Sequence, residues 1–313
     1  MTDDTTFPRY DDLPLIEKLK MRHAWDVLDG DLGSVGLRRP EHLRAAAHSV
    51  TEGEVVPLNL SLGLIDPPLF GRPPMRHRII PEGRNNNEDV LDDFNPQASS
   101  QWDGLRHVRA REFGFFGGLT EFDENDTESL SIEHWARTGI TGRGVLLDVA
   151  GWKRAEGAPL DPFAGDEITA ADLEATAAHQ EAELREGDIL CIRTGWIEAY
   201  RGLDAEARAK PEIAGRFTGL RGDEASARFV WDHRFSAVCA DNPAVECAPG
   251  DPAVGSLHRR LLPLLGTALA ELLDFDRLAL RCRELARWDF LFVAAPLPIP
   301  GGVSSPANAL AIL

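Results

Sequence analysis

Residues 188–193 have the sequence Asp-Ile-Leu-Cys-Ile-Arg, a short apolar run rich in β-forming residues. Similar runs stand at 144–149, Gly-Val-Leu-Leu-Asp-Val, and at 237–240, Ala-Val-Cys-Ala. Each is preceded by a turn or charge signal, a pattern typical of strands buried on both faces. These three runs therefore predict the centre of a sheet, to which 55–64 and 290–295 add two further predicted strands.

Two helical regions are predicted between the later strands. Thr169-Ala-Ala-Asp172 resembles a capping box with Asp in the final position, and it begins an alanine-rich run that Gly187 ends. A second helical region covers 256–273, with breaks expected at Pro263 and Gly266. Strands and helices mixed in this order predict an α/β or α+β fold built on one sheet core.

The first third of the chain carries weaker signals. Residues 15–28 are amphipathic and predict an N-terminal helix, so we expect residues 1–50 to form a helical extension. Four prolines between 67 and 74 predict a long exposed loop, which the polar, turn-forming segment 84–89 continues.

The charge balance narrows the class of partner. Lys and Arg number 33 against 51 for Asp and Glu, so the net charge is 33 − 51 = −18. This acidity argues against nucleic acid and against anionic membrane surfaces as partners. Hydrophobic residues make up 43% of the chain without an unbroken apolar run of membrane-spanning length. We therefore expect a small-molecule substrate.

The N-terminal residues and the cysteines indicate the compartment. Residues 1–12 are acidic and polar, whereas a signal peptide has a basic start and an apolar stretch. Cys191, Cys239, Cys247 and Cys282 form no Cys-x-x-Cys pair, which favours reduced, buried thiols over a Cys239–Cys247 disulfide. Both observations predict a cytoplasmic protein.

Polar side chains are concentrated at residues 97–107, Gln-Ala-Ser-Ser-Gln-Trp-Asp-Gly-Leu-Arg-His. An extended backbone would place Gln101 and Asp103 on one face. Asp103 and His107, with amides interleaved, suit three roles: binding a metal, holding a substrate carbonyl, or acting as a base with its orienting carboxylate. The residues themselves leave these roles open.

This run resembles the cyclase-family signature H-x-G-T-H-x-D-x-P-x-H in length and in part of its chemistry. Asp103 and His107 match the signature. Gln97 and Gln101 stand where the family has metal-binding histidines, with Ser99-Ser100 in place of Gly-Thr and Leu105 in place of Pro. Because a glutamine oxygen binds zinc less well than imidazole, these departures weaken the expected metal site.

The resemblance continues along the chain from about residue 57 to the C-terminus. Its further segments are 142–148, 187–196, 240–246, 257–262, 270–272 and 300–308. The family it indicates is the kynurenine-formamidase-like cyclases. The resemblance implies a swivelling β/β/α fold over 51–313, as one catalytic domain with a mixed sheet and flanking helices, and assembly as a homodimer or homotetramer.

The resemblance also implies that His258 and Glu271 complete a divalent metal site, for zinc or manganese, with Asp103. Gln97 and Gln101 would be weak ligands or donors to a carbonyl. His258 and Glu271 are 13 residues apart, and a straight helix would separate them by about 20 Å. The chain must therefore turn near Pro263 if both contact one ion.

The activity implied is hydrolysis of an amide, formamide or lactone-type bond in a small cyclic or aromatic molecule, like that of an arylformamidase in tryptophan catabolism. His107 would be the general base, beside Asp103 and Gln101. Trp102, Ser100 and Trp196 are candidate substrate contacts. Two alternatives remain open: a metal-independent cyclase, dehydratase or isomerase using the His107–Asp103 pair, and a non-catalytic binder of small molecules.

Overall fold

A computed structural model describes residues 7–123 and 125–313. The strands are β1 (Leu15–Ile16), β2 (Met21–Arg22), β3 (Val55–Pro57), β4 (Arg76–Glu82), β5 (Asn86–Asp92), β6 (Gln101–Asp103), β7 (Ile140–Leu147), β8 (Glu167–Ile168), β9 (Ile189–Ile192), β10 (Gly219–Leu220), β11 (Ala237–Ala240), β12 (Leu269–Glu271), β13 (Asp289–Ala294), β14 (Ser304–Pro306) and β15 (Ala309–Ile312).

The helices are mostly short. The α-helices are α1 (Pro40–His48), α2 (Ile132–Thr138), α3 (Val149–Ala155), α4 (Ala170–His179), α5 (Trp196–Arg201), α6 (Ala205–Arg208), α7 (Pro211–Gly215), α8 (Glu224–Asp232), α9 (Leu257–Arg259) and α10 (Asp276–Leu285). A π-helix covers Arg260–Leu265, and 3-10 helices cover Tyr10–Asp12, Gly33–Leu37, Leu69–Gly71, Pro96–Ala98, Arg111–Phe113 and Phe116–Gly118.

Nine strands form one mixed sheet in the order β14-β6-β12-β11-β9-β7-β13-β15-β3. The four central strands, β12, β11, β9 and β7, are parallel to one another. Antiparallel strands flank them, with β6 beside β12 and β13 beside β7. The predicted fold class, an α+β domain on one mixed sheet with flanking helices, is confirmed.

The two faces of this sheet are both buried, as the apolar runs predict. In β9, Ile189 and Cys191 belong to one hydrophobic cluster, whereas Leu190 and Ile192 belong to a second cluster on the opposite face. This alternation follows from the two-residue period of a strand. Since burial of each large aliphatic side chain contributes about 1.5–3 kcal/mol, β9 anchors helices on both sides.

Helix α4 begins as predicted but ends before Gly187. Its capping box is present, because the Thr169 amide donates to the Asp172 carboxylate at 2.9 Å and the Asp172 amide donates to Thr169 Oγ1 at 3.2 Å. The helix ends at His179. Gln180 then turns to the sheet, where its side chain donates to the Leu146 carbonyl and accepts from the Asp148 amide. Because Gln180 makes these contacts with the sheet, the helix does not continue towards Gly187 as predicted.

The second predicted helical region is helical only in its first half. Helix α9 continues into the π-helix Arg260–Leu265, which contains Pro263 and ends at Gly266 with φ +67°. The prediction of a helix over 269–273 is wrong, because Leu269–Glu271 is strand β12. Pairing with β6 on one side and β11 on the other outweighs the local helical preference.

The predicted N-terminal helix over 15–28 is also wrong. That segment contains the two-stranded hairpin β1–β2 and turns, and α1 is the α-helix among residues 7–50. Tertiary contacts explain the difference: the Ala24 amide donates to the Leu264 carbonyl at 2.8 Å, and Trp25 Nε1 donates to the Pro263 carbonyl at 2.8 Å. The segment thus covers the π-helix. That residues 1–50 form an extension separate from the domain at 51–313 stays a prediction.

The region predicted as a long loop carries a hairpin. Strands β4 and β5 pair over their full lengths, with the Arg84-Asn85 segment at the turn. The strand predicted over 55–64 is limited to Val55–Pro57. A hairpin of polar, exposed strands has no alternating apolar pattern, so it cannot be predicted from the spacing of apolar residues.

Two further sequence predictions concern cysteines and membranes. Cys191, Cys239, Cys247 and Cys282 are free and buried, which confirms the prediction of reduced thiols. Within the described ranges, no helix has the length and apolar character needed to cross a membrane.

The glycine after the π-helix provides a test of this fold. A Cβ at Gly266 would lie 2.6 Å from the Phe116 ring, and its φ of +67° strains any larger residue. We expect Gly266→Ala to lower the free energy of unfolding by about 1–3 kcal/mol, measured by urea denaturation. Gly215→Ala is the control, since its Cβ would meet nothing within 4 Å. Equal stability of the two variants would contradict the described turn.

Candidate active site

Two neighbouring strands place three polar side chains on one face of the sheet. Strands β6 and β12 are antiparallel, with Gln101 opposite Glu271 and Asp103 opposite Leu269. Residues opposite each other in an antiparallel pair share a face, as do residues two apart in one strand. Gln101, Asp103 and Glu271 therefore project together, and all three are almost fully buried.

His258 reaches the same place from the start of α9. The π-helix and Gly266 reverse the chain, so that His258 Nε2 lies 2.9 Å from Glu271 Oε1 and 3.8 Å from Asp103 Oδ2. The predicted turn near Pro263 thus brings His258 and Glu271 together. A straight helix would have kept them about 20 Å apart.

These groups suit a divalent cation. Asp103, His258 and Glu271 each offer one ligand atom, and the three atoms lie within 4.8 Å of one another. Asp103 Oδ2 is buried and has no hydrogen-bond partner in the described part of the chain. A buried carboxylate oxygen without a partner is costly, and two carboxylates with one imidazole form a common donor set for zinc or manganese. The residues present fit the metal implied by the sequence.

The two glutamines hold the carboxylates. Gln97 Nε2 donates to Asp103 Oδ1 at 2.9 Å and lies 3.2 Å from His107 Nδ1. Gln101 Nε2 donates to Glu271 Oε2 at 2.5 Å. An amide nitrogen donates hydrogen bonds and does not bind cations. Gln101 Oε1 is buried and has no hydrogen-bond partner among the described residues, so a weak-ligand role for this oxygen stays a prediction.

Glu246 is a site residue that the sequence did not single out. Its carboxylate lies 2.7 Å from His258 Nδ1 and also accepts from the Leu257 amide and the Ser256 hydroxyl. A carboxylate on one imidazole nitrogen fixes the ring and makes the other nitrogen a better metal ligand. The only sequence signal was that Glu246 ends the segment 240–246.

The carboxylates and His258 shift one another's pKa values. Burial and the charge of Asp103 raise the pKa of Glu271 to about 7, although His258 opposes this. Burial would raise the pKa of Asp103, but the nearby imidazoles of His258 and His107 lower it. Burial would lower the pKa of His258, but the nearby carboxylates of Asp103, Glu246 and Glu271 raise it well above its usual value. Positive charge is therefore required among these carboxylates.

His107 differs from His258 in charge and exposure. Burial lowers the pKa of His107, and the positive charges of His258 and Arg72 lower it further against the pull of Asp103. Its Nε2 lies 3.7 Å from Asp103 Oδ2, and 27% of the side chain is exposed. Arg72, from the proline-rich segment, donates to the Gln97 carbonyl. His107 is thus a neutral, accessible imidazole beside a carboxylate.

Comparison with known proteins agrees with this geometry. A family model described as cyclase matches residues 39–247. The chain belongs to the cyclase family. A crystal structure described as a novel cyclase is 29% identical in sequence, with a TM-score of 0.80 over 93% of this chain and 99% of that chain. No curated protein matches the chain.

Isatin hydrolases share the cyclase fold with this chain. Isatin hydrolase A from Ralstonia solanacearum is 17% identical, with a TM-score of 0.59 over 87% of this chain and 97% of that chain. An isatin hydrolase bound to the product analogue thioisatinate is 17% identical, with a TM-score of 0.57 over 83% and 92% of the two chains. At these identities the likeness shows the fold alone.

The family model covers only part of the cluster in this cyclase-family protein. Its match includes the 97–107 run and Glu246, whereas His258 and Glu271 lie beyond residue 247. The fold brings His258 and Glu271 together with the site residues that the family model covers.

The three predicted substrate contacts stay predictions, and each side chain also makes contacts within the protein. Trp102 is fully buried in the core, where its Nε1 donates to the Ala307 carbonyl. Trp196 is fully buried in a separate hydrophobic cluster. The Ser100 hydroxyl donates to the Leu272 carbonyl at 2.6 Å. This hydrogen bond joins the residue before β6 to the residue after β12. Polar and aromatic residues near a motif do not reveal whether they face a cavity.

Cation affinity tests the role of Glu246. We expect Glu246→Gln to weaken Mn²⁺ binding by roughly 10–100-fold, because His258 loses its orienting carboxylate. Isothermal titration calorimetry measures the dissociation constant. Glu174→Gln, an exposed carboxylate on α4, is the control and should bind like the wild type. Unchanged affinity of Glu246→Gln would show that His258 does not depend on this contact.

Proposed function

We propose that this cyclase-family protein is a divalent-metal-dependent hydrolase. Its reaction would open an amide, formamide or lactone-type bond in a small cyclic or aromatic molecule, as an arylformamidase does. The observation that carries the proposal is the meeting of Asp103, His258 and Glu271 around an unpaired carboxylate oxygen, with a neutral His107 beside it.

Asp103, His258 and Glu271 would hold the cation. When bound there, a zinc or manganese ion would lower the pKa of a water molecule and stabilise negative charge on the substrate oxygen. Glu246 keeps His258 in place, and Gln101 keeps Glu271 in place, through the contacts described above. Rigid donors of this kind lose little free energy to reorganisation during the reaction.

His107 would take the proton from the attacking water. Its lowered pKa keeps the imidazole neutral near pH 7, and a neutral imidazole is the form that accepts a proton. Asp103 lies close enough to stabilise the imidazolium that results. Gln97 contacts both residues and fixes their relative position.

The finer expectations belong to this proposal as well. They are a role in tryptophan catabolism, assembly as a homodimer or homotetramer, a cytoplasmic location, and partners limited to small molecules rather than nucleic acid or membranes. The net charge of −18 supports the last of these.

A metal-independent cyclase, dehydratase or isomerase is the second candidate. The supporting observation is that His258 contacts Glu246 and Glu271 on its two nitrogens. A protonated His258 would then supply the positive charge, and the His107–Asp103 pair would move protons.

Chelation and one substitution separate these candidates. We expect removal of divalent metal to abolish turnover of isatin, formanilides or aryl lactones, and Zn²⁺ or Mn²⁺ to restore it. His107→Ala should lower kcat by about 10²–10⁴-fold, the usual contribution of a general base, without changing the bound metal measured by elemental analysis. His77→Ala, an exposed histidine on β4, is the control.

The outcomes have distinct meanings. Full turnover after chelation together with an inactive His107→Ala would favour the metal-independent candidate. A protein that binds these compounds, yet turns none of them over, would be a non-catalytic binder.

A further inference from the structure

A cavity of about 460 Å³ is lined in part by Glu246, the carboxylate that contacts His258. We call it the arginine cavity and define it by the lining residues Phe70, Arg111, Phe217, Glu246, Cys247 and Arg259. The Glu246 carboxylate lines this cavity and also contacts His258, and Arg259 directly follows His258 in sequence. A molecule in the cavity would therefore lie beside Glu246, whose carboxylate contacts His258.

Two guanidinium groups of this cavity have no partners. Arg111 and Arg259 form no side-chain hydrogen bond and no ion pair with any residue in the described ranges, and Arg259 Nε is buried. A buried donor without an acceptor is energetically unfavourable. Arg111 is exposed to solvent, whereas the buried Nε of Arg259 lacks a partner among the described residues, and this unsatisfied donor requires an explanation.

The acidic residues of the cavity form no ion pair with these arginines within the described ranges. Glu246 accepts hydrogen bonds from Ser256, Leu257 and His258, so its carboxylate is already satisfied. Asp251 also lines the cavity, but it is exposed and accepts from the Ala253 amide. The cavity thus presents unpaired positive charge.

The remaining walls suit an aromatic ring. Phe70 and Phe217 meet edge to face, with ring centroids 6.4 Å apart, and Phe70 is 49% exposed. Exposed aromatic surface beside guanidinium groups favours a flat ring that carries an acid group. Cys247 adds a neutral thiol, because burial raises its pKa to about 11.

We propose that the arginine cavity binds the carboxylate of an aromatic acid, so that the substrates of this site carry an acid group as well as the bond that is cleaved. Arg111 and Arg259 hold the carboxylate, and Phe70 and Phe217 contact the ring. The identity of the cleaved bond rests on the proposed function, whereas binding of the acid does not.

Benzoate and its neutral analogue benzamide are the probes. We expect wild-type protein to bind benzoate at least 10-fold more tightly than benzamide in calorimetric titrations. Arg259→Gln should weaken benzoate binding by about 10–100-fold, as loss of a hydrogen bond to a charged group does, and leave benzamide binding unchanged. Arg111→Gln should act in the same direction.

The control is Arg44→Gln, which replaces an exposed arginine of α1 outside the cavity and should bind benzoate like the wild type. Thermal melts of each variant confirm that it is folded, and Arg259→Lys, which keeps the charge, should retain part of the affinity. If benzoate bound to the metal instead, its affinity would be unchanged in Arg259→Gln.

Equal affinity for benzoate and benzamide, or unchanged benzoate binding by Arg259→Gln, would overturn the proposal. The hydrolase proposal is judged separately by turnover before and after chelation. If the wild-type protein binds benzoate but shows no turnover, and Arg259→Gln loses benzoate binding, then the acid-binding proposal holds and the hydrolase proposal fails.

Discussion

The site depends on two carboxylates buried side by side. Asp103 and Glu271 project from adjacent strands into one almost solvent-free space, where burial and the neighbouring charge raise the pKa of Glu271 to about 7. Charges of one sign in such a place are unfavourable unless positive charge lies between them. His258 supplies part of that charge, and a divalent cation would supply more. The neighbouring contacts follow from this requirement.

The backbone brings hydrogen-bond donors and His258 to these two carboxylates. Antiparallel pairing of β6 with β12 sets Gln101 opposite Glu271, so the amide that steadies the carboxylate arrives with the register of the sheet. The π-helix and Gly266 bring His258 back over β12. Glu246 then fixes the imidazole from the opposite side. Sheet register, a chain reversal and one carboxylate together define the geometry.

The sequence predicted the parts of this structure that have local patterns. The buried strands around Ile189 and Val238 were predicted because burial on both faces leaves an unbroken apolar run. The sequence predicts a helix at Glu271, whereas the structure has a strand of three residues. So short a strand forms because of pairing with its neighbours in the sheet, which local sequence does not show. Glu246 meets Ser256, Leu257 and His258 only because the fold brings them to it, and the burial of Trp102 depends on packing. Such long-range contacts leave no trace in spacing.

The central claim is that a cation binds among Asp103, His258 and Glu271. Anomalous diffraction from crystals grown with manganese or zinc, collected on both sides of the metal absorption edge, tests it most directly. The account predicts one anomalous peak within ligand distance of Asp103 Oδ2, His258 Nε2 and Glu271. A crystal with His258 directly hydrogen-bonded to Glu271 and no peak among the three residues would contradict it.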